Sequence, residues 1–323
     1  MSAYVRLGLQ LLSRAQPRLA AWWAERLFFT PPRARARSGR IESFLATGEA
    51  FTVATPQGPI AAWRWGRGPA VLLVHGWGGR GGQLSEFAPP LLAAGFSVVT
   101  FDGPGHGHTG HGLSSLVDIG RALQAVADAV APVHGAITHS VGGAAVTFAL
   151  RHGLTLPRAV FICPPARPAR WVDDFAARFD VPPRVVALLR ARTERRLAVP
   201  WSELDLPSLV GELPTELLVL HDRDDEEVPS SDGALLAERW PGARLVTTQG
   251  LGHRRILRDP QVVAHAVEFL AAGDPHPAQL TEAHRLEAEL FDREQRSHRG
   301  HAVRTGAAAS RLPPPPRSPG RGV

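Results

Sequence analysis

The stretch Ala-Ile-Thr-His-Ser-Val-Gly-Gly at residues 136–143 decides the fold, because an apolar strand pattern becomes a small-residue helix pattern at Ser140. A strand, a sharp turn and a helix in this order are typical of a nucleophile elbow, which holds a serine side chain at the tip of the bend. A hydroxyl is a poor nucleophile at neutral pH, so a catalytic serine needs a histidine to accept its proton and an acid to orient that histidine. Ser140 is therefore the candidate nucleophile.

Candidates for the histidine and the acid lie downstream, each on a loop after an apolar run. Asp225 lies in His-Asp-Arg-Asp-Asp-Glu-Glu-Val-Pro (221–229), directly after Leu-Leu-Val-Leu at 217–220. His253 ends the segment Gly-Leu-Gly-His (250–253), which follows another strand pattern. The order along the chain is serine, acid, histidine.

These motifs resemble those of the alpha/beta-hydrolase superfamily, which uses the same order of triad residues. The resemblance covers roughly residues 50–272 and includes Leu-Leu-Val-His-Gly-Trp-Gly-Gly (72–79) and Thr-Phe-Asp-Gly-Pro-Gly-His-Gly (100–107). It implies that His253 is the general base and that an acid in the loop before α-helical residues 230–239 orients it.

Three aspartates compete for the role of that acid. Asp225 matches the family pattern His-Gly-x-x-Asp-x-x-Val-Pro, Asp222 stands where glycine is common, and Asp224 is the main alternative. In the elbow, Gly142 matches the family preference for glycine two residues after the serine. Thr138 departs from that preference two residues before it, which predicts either a slightly opened elbow or reduced catalytic efficiency.

The resemblance also implies where the transition state finds its oxyanion donors. In this fold they are the backbone N–H of the residue after the nucleophile and one from the loop after the first parallel strand, which indicates Val141 and Trp77. His75 is interpreted as fixing that loop. The nearby His108 and His111 lack carboxylates at metal-ligand spacing, so we predict neither a metal nor a cofactor.

Alternating strand and helix patterns predict an α/β fold with a mostly parallel sheet flanked by helices. Two strands at 51–55 and 60–65 read as an opening antiparallel hairpin. The later strand patterns are 70–74, 97–101, 135–138, 158–163, 216–220 and 244–248, and the helical patterns are 83–94, 114–130, 141–151, 230–239 and 260–270.

One excursion, residues 164–214, interrupts this alternation with two helical patterns, Trp171–Phe179 and Val185–Leu197. The resemblance implies a helical lid insertion at this point. Its apolar residues are predicted either to line the substrate pocket or only to pack the lid onto the domain; they are Trp171, Phe175, Phe179, Leu188 and Leu189.

The predicted organisation is an N-terminal helical, basic segment (1–40), a catalytic domain (41–274), and a C-terminal region (275–323) with a helix at 278–294 and a disordered Pro/Arg-rich tail. Residues 3–30 have helical apolar spacing. They could contact a membrane surface or pack onto the domain or a partner chain.

Charge is unevenly placed along the chain, whose 36 basic residues are all arginine. Residues 1–40 hold eight arginines and one glutamate, whereas residues 41–284 hold 20 arginines and 25 acids. No nucleic-acid motif accompanies the basic ends, so solvated ends are favoured over a nucleic-acid partner.

The single cysteine, Cys163, ends an apolar run, which indicates buried packing and excludes an internal disulfide. No signal peptide pattern is present, so a cytoplasmic location is expected. The uncharged stretch 129–150 reaches transmembrane length, but a strand, an elbow and a helix explain its pattern.

Together these features predict a serine hydrolase that cleaves a carboxylic ester or thioester of a small-molecule acyl substrate through an acyl-enzyme on Ser140. Haloalkane and epoxide chemistries in this fold use an aspartate nucleophile, so the serine at position 140 argues against both. An acyltransferase on the same triad, and a non-catalytic binding protein that keeps the fold, remain as alternatives.

Overall fold

A computed structural model describes residues 2–32, 39–110 and 112–272. Within this part of the chain, one sheet contains eight strands in the spatial order β1-β2-β4-β3-β5-β6-β7-β8. The strands are β1 (Glu49–Val53), β2 (Ile60–Trp65), β3 (Ala70–Val74), β4 (Ser97–Phe101), β5 (Val133–His139), β6 (Arg158–Ile162), β7 (Glu216–Asp222) and β8 (Arg244–Thr248).

Only β2 breaks the parallel arrangement of the sheet's main body. It pairs antiparallel with β1 and with β4, and all pairings from β4 through β3 to β8 are parallel. The predicted opening hairpin and the mostly parallel sheet are therefore confirmed.

Helices cover both faces of the sheet. Helices α5, α6 and α9 pack on one face and α3, α4 and α11 on the other, each with its own cluster of buried apolar side chains. The helices are α1 (Ser2–Ala15), α2 (Pro17–Phe29), α3 (Gly39–Ala46), α4 (Ala88–Ala93), α5 (Leu116–Val130), α6 (Val141–Arg151), α7 (Trp171–Phe179), α8 (Pro183–Leu197), α9 (Ser230–Arg239), α10 (Gly252–Arg255) and α11 (Pro260–Ala271).

The N-terminal segment differs from the single helix predicted over residues 3–30. It forms two helices that break at Gln16, because Pro17 has no backbone N–H and disfavours helical dihedrals in the residue before it. Helix α2 ends at Phe29, as Thr30-Pro31-Pro32 predicted. Helix α3 was not predicted and crosses the expected boundary at residue 40.

The insertion between β6 and β7 contains α7 and α8, as its helical patterns predicted. Its inner face packs against α1 and α2, with Leu9, Ala20, Val185 and Leu189 fully buried between them. Helices α1 and α2, called the N-terminal pair below, thus form one layer with the insertion on the main domain. The predicted helix at 278–294 and the tail lie outside the described residues.

No helix in the described part of the chain combines the length and hydropathy needed to cross a bilayer. The uncharged stretch 129–150 is divided between β5 and α6, as its pattern predicted.

Candidate active site

Ser140 lies at the turn between β5 and α6 with φ +52° and ψ −125°. This positive φ is strained for a residue with a side chain, and such strain is typical of a nucleophile elbow. Gly142 is required by the bend, because a Cβ there would lie 2.7 Å from the carbonyl oxygen of Val74. The turn is held by the Ser140 N–H, which donates to the Ile162 carbonyl at 2.9 Å.

Thr138 is accommodated without loss of the elbow. It is fully buried in β5, in register with Val74 of β3 and Phe161 of β6. The sharp turn therefore forms with threonine at the position where the family prefers glycine.

Asp225 and His253 form a direct pair. The Nδ1 atom of His253 lies 2.7 Å from Oδ2 of Asp225, while Oδ1 accepts the N–H groups of Glu227 and Val228 at 2.8 and 2.9 Å. Burial alone would raise the pKa of Asp225, but hydrogen bonds from His221, His253 and Val228 outweigh it and hold this pKa well below its usual 3.8. Asp225 is thus a carboxylate that fixes the imidazole.

The pairing selects one histidine tautomer. Because the carboxylate can only accept, Nδ1 carries the proton and Nε2 of His253 keeps its lone pair. His253 and Ser140 line the same cavity. Among the described residues Ser140 Oγ forms no hydrogen bond, either to Nε2 of His253 or to any other group.

The other two candidate acids, Asp222 and Asp224, form different hydrogen bonds. Asp224 is exposed and accepts the Gly250 N–H at 3.0 Å. Asp222 is buried, and its carboxylate accepts the Thr248 hydroxyl at 2.6 Å and the Leu251 N–H at 3.1 Å. Asp222 therefore joins the acid loop to the histidine loop, a positioning role that sequence reasoning missed although its place at a usual glycine was visible.

The two residues predicted to supply oxyanion donors, Trp77 and Val141, line the same cavity as Ser140. Val141 is the first residue of α6, so its N–H has no helical carbonyl to bond. Trp77 follows β3, lines the same cavity, and its N–H has no acceptor within the described residues. A helix N-terminus and a free amide are suited to a developing oxyanion.

The loop that carries Trp77 is fixed by two buried histidines. His75 contacts the Gly76 carbonyl at 2.8 Å through Nδ1 and accepts the Gly103 N–H at 2.9 Å through Nε2. His106 accepts the Gly78 N–H at 3.1 Å. Because His75 connects this loop to the loop after β4, its predicted structural role is confirmed.

An apolar cavity of about 300 Å³ opens beside Ser140 and His253. Its walls come from α2, the loop after β3, the start of α5 and the insertion. The lining residues are Phe28, Phe29, Trp77, Ser115, Leu116, Val117, Ser140, Val141, Pro168, Trp171, Leu197, Trp201, Leu204, Glu227, Val228 and His253.

Of the five insertion residues predicted to face the pocket, only Trp171 lines this cavity. The pocket role is wrong for the other four, and the packing alternative holds for them, because they pack against α1 and α2: Phe175, Phe179, Leu188 and Leu189. The helical spacing was correct, but the apolar face of α7 and α8 is covered by the N-terminal pair.

Sequence reasoning missed two cavity residues, Phe28 and Phe29 at the end of α2. Phe29 lies beneath the guanidinium of Arg196, whose carbon is 4.6 Å from the ring centre. The same helix is held by Glu25, which is buried and 3.0 Å from Arg192. The N-terminal pair is thus part of the site and is tied to the insertion by charge.

Within the described residues one group of side chains has the proximity needed to hold a metal ion: Cys163, Asp225 and His253, with ligand atoms within 4.8 Å of one another. Burial raises the pKa of the Cys163 thiol, so it stays protonated beside the carboxylate. Asp225 already accepts from His253, Glu227 and Val228. The donors therefore suit a hydrogen-bonded acid better than a cation. His111 lies outside the described residues.

Buried neutral histidines make stability sensitive to pH. Burial lowers the pKa of His75, and it lowers those of His106 and His139 to about 3, against 6.5 for the free group. The unfolded chain therefore takes up protons first, so this stability is complete above pH 6.5 and is lost as pH falls.

We expect the free energy of unfolding to fall by up to about 1.4 kcal/mol per pH unit for each of these histidines. Urea denaturation between about pH 7.5 and 4.5 measures this slope before most carboxylates titrate. His139→Gln should make the slope shallower. A flat profile over this range in the wild-type protein would contradict the assignment.

The comparisons with known proteins agree with this geometry. A sequence model described as the alpha/beta hydrolase family matches residues 71–266. The chain is 29% identical over 257 residues to the pimeloyl-[acyl-carrier protein] methyl ester esterase of Stenotrophomonas maltophilia, covering 64% of this chain and 95% of that protein. It is 44% identical over 77 residues to the enzyme of the same name from Methylococcus capsulatus, a match that spans 24% of this chain and 28% of that relative.

Solved structures share the fold. A hydrolase from Pseudomonas aeruginosa superposes with a TM-score of 0.53 and 24% identity, covering 70% of this chain and 99% of that one. An esterase from Pyrococcus furiosus superposes with a TM-score of 0.55 and 19% identity, covering 75% and 96%. The predicted family, fold class and hydrolase class are confirmed, and the chain belongs to the alpha/beta hydrolase family.

Proposed function

We propose that this chain is a serine esterase that cleaves a carboxylic ester through an acyl-enzyme on Ser140. The observation that carries the proposal is the strained Ser140 in one apolar cavity with the Asp225–His253 pair. The names of the two curated relatives, both methyl ester esterases, support ester hydrolysis as the reaction.

The proposed reaction has two halves. Ser140 Oγ attacks the ester carbonyl while Nε2 of His253 accepts its proton, and the Trp77 and Val141 N–H groups bind the oxyanion. His253 then returns the proton to the leaving alcohol. In the second half, water attacks the acyl-enzyme by the same route and the carboxylic acid is released.

The cavity favours an uncharged acyl group. Its lining is mainly aromatic and aliphatic, and a volume of about 300 Å³ is at the small end of ligand pockets. The insertion, residues 164–214, serves as the lid in this proposal, since Pro168, Trp171 and Trp201 all reach the cavity.

A series of p-nitrophenyl esters from acetate to dodecanoate tests the reaction and the acyl preference together. We expect kcat/KM to peak at short or medium acyl chains and to fall for chains that exceed the cavity. Release of p-nitrophenol no faster than the buffer rate for every ester would contradict the proposed hydrolysis.

Phe29 should set the length of the acyl chain. Phe29→Ala removes one wall of the cavity, so we expect the kcat/KM ratio of dodecanoate to butyrate esters to rise about tenfold, the scale of a few methylenes in an apolar pocket. The matched control is Phe175→Ala, because Phe175 packs on the same N-terminal pair but does not line the cavity. The same dodecanoate-to-butyrate ratio of kcat/KM in Phe29→Ala and Phe175→Ala would mean that Phe29 only packs. Thermal melting shows whether each variant is folded.

A further inference from the structure

The exposed large apolar side chains of the described residues are concentrated on α1 and α2. Five of the seven lie there, with between 41% and 83% of their surface exposed: Tyr4, Leu7, Leu11, Leu19 and Trp22. On α1 the spacing of three and four residues places its members on one face of the helix. Exposed apolar side chains that cluster on one helix face indicate a contact surface, whereas single ones are ordinary.

Packing among residues 2–32, 39–110 and 112–272 does not require this face. The opposite sides of the two helices are filled, since Leu9, Ala20, Ala21 and Ala24 are fully buried against the insertion. The pair is therefore already anchored by its inner face, and the outer face, defined here as Tyr4, Leu7, Leu11, Leu19 and Trp22, is additional.

The charged residues of α1 and α2 beside the outer face have one sign, while Arg6 on α1 pairs with the exposed Asp180 of the insertion. Arg14, Arg18 and Arg26 are exposed beside it, and the Arg26 guanidinium lies 5.3 Å from the centre of the Trp22 ring. The only acid among residues 2–32 is Glu25, which is buried and paired with Arg192 on the inner side. An apolar face that includes a tyrosine and a tryptophan and has arginine beside it matches the boundary between lipid phosphates and acyl chains.

We propose that the outer face of α1 and α2 binds the surface of an anionic phospholipid membrane. The five apolar side chains enter the acyl boundary, and Arg14, Arg18 and Arg26 lie against lipid phosphates. Charge complementarity selects this occupant, because no acid on the face is available to a basic partner.

Membrane binding by the outer face does not depend on the proposed esterase function, but it would give α2 a role on each of its two sides. Phe28 and Phe29, at its end, line the cavity, and Trp22 lies seven residues before Phe29, about 10 Å along the helix. A membrane bound at the outer face would therefore be close to the cavity wall.

Co-sedimentation of the full chain with phosphatidylcholine vesicles, with and without phosphatidylglycerol, tests the proposal. We expect binding only when phosphatidylglycerol is present, and weaker binding as salt rises. The double variant Leu7→Ser with Leu11→Ser should bind about tenfold more weakly, and so should Arg14→Glu with Arg18→Glu. Leu245→Ser, at an exposed leucine in β8, is the matched control and should bind as the wild type does.

Three results would overturn the proposal. The first is no co-sedimentation of the wild-type chain with either vesicle. The second is unchanged binding in both double variants, with thermal melting showing that they are folded. The third is a wild-type dimer in solution that Leu7→Ser with Leu11→Ser separates into monomers, because the outer face would then be covered by a second copy.

Discussion

Ser140→Ala is expected to reduce kcat for ester hydrolysis by about 10⁶-fold, the scale observed when a serine hydrolase loses its nucleophile. The residual rate would come from the Trp77 and Val141 N–H groups and the cavity, which still bind substrate and stabilise charge. The fold should persist, because Ser140 Oγ forms no hydrogen bond among the described residues. Alanine keeps the Cβ and therefore the same backbone strain at φ +52°, so the substitution removes only the hydroxyl.

Covalent labelling by a fluorophosphonate, followed by mass spectrometry, tests directly whether Ser140 is the nucleophile. Ser115 offers a matched control, because it lines the same cavity but its hydroxyl caps α5 through the Asp118 N–H at 3.1 Å. Ser115→Ala should keep the label and lose about 1 kcal/mol of stability. A label that persists in Ser140→Ala, or wild-type protein that stays unlabelled while a known esterase reacts, would refute the nucleophile.

The sequence predicted the positions of the three candidate loops well, because the local pattern of apolar and polar residues determines where each strand ends. An apolar strand must end before a polar loop, and β5, β7 and β8 end within a few residues of Ser140, Asp225 and His253. In a parallel sheet these carboxyl ends share one edge, so the proximity of the three residues follows from topology. Asp225 was distinguished by its register with Val228, whose N–H it accepts at 2.9 Å.

The cavity wall could not be predicted in the same way, because helical periodicity shows that a face is buried but not what buries it. Phe175 and Leu189 have the spacing of pocket residues, yet their face meets α2 rather than substrate. Phe28 and Phe29 lie more than 100 residues before Ser140, and only the tertiary position of α2 brings them to it. Asp222 was similarly hidden, since its partner Thr248 lies on another strand.

The acid of the proposed triad can be tested by replacing Asp225 with asparagine, which exchanges one carboxylate oxygen for an amide nitrogen. In Asp225→Asn the N–H groups of Glu227 and Val228 would still need an acceptor, so the amide oxygen would occupy the Oδ1 position. The amide nitrogen would then face Nδ1 of His253, where the carboxylate oxygen lies at 2.7 Å in the wild type. An amide nitrogen only donates, so the imidazole proton would move to Nε2 and the base would lose its lone pair.

We therefore expect Asp225→Asn to lower kcat by about 10⁴-fold, the cost of the wrong tautomer in a serine triad. Asp224→Asn is the matched control, one residue away on the same loop. Its exposed carboxylate accepts only the Gly250 N–H, which an amide oxygen can also bind, so its kcat should change by less than about threefold. Steady-state kinetics on one p-nitrophenyl ester compares the two variants, and fluorophosphonate labelling should slow in Asp225→Asn alone. A larger loss of kcat in Asp224→Asn than in Asp225→Asn would instead identify Asp224 as the acid.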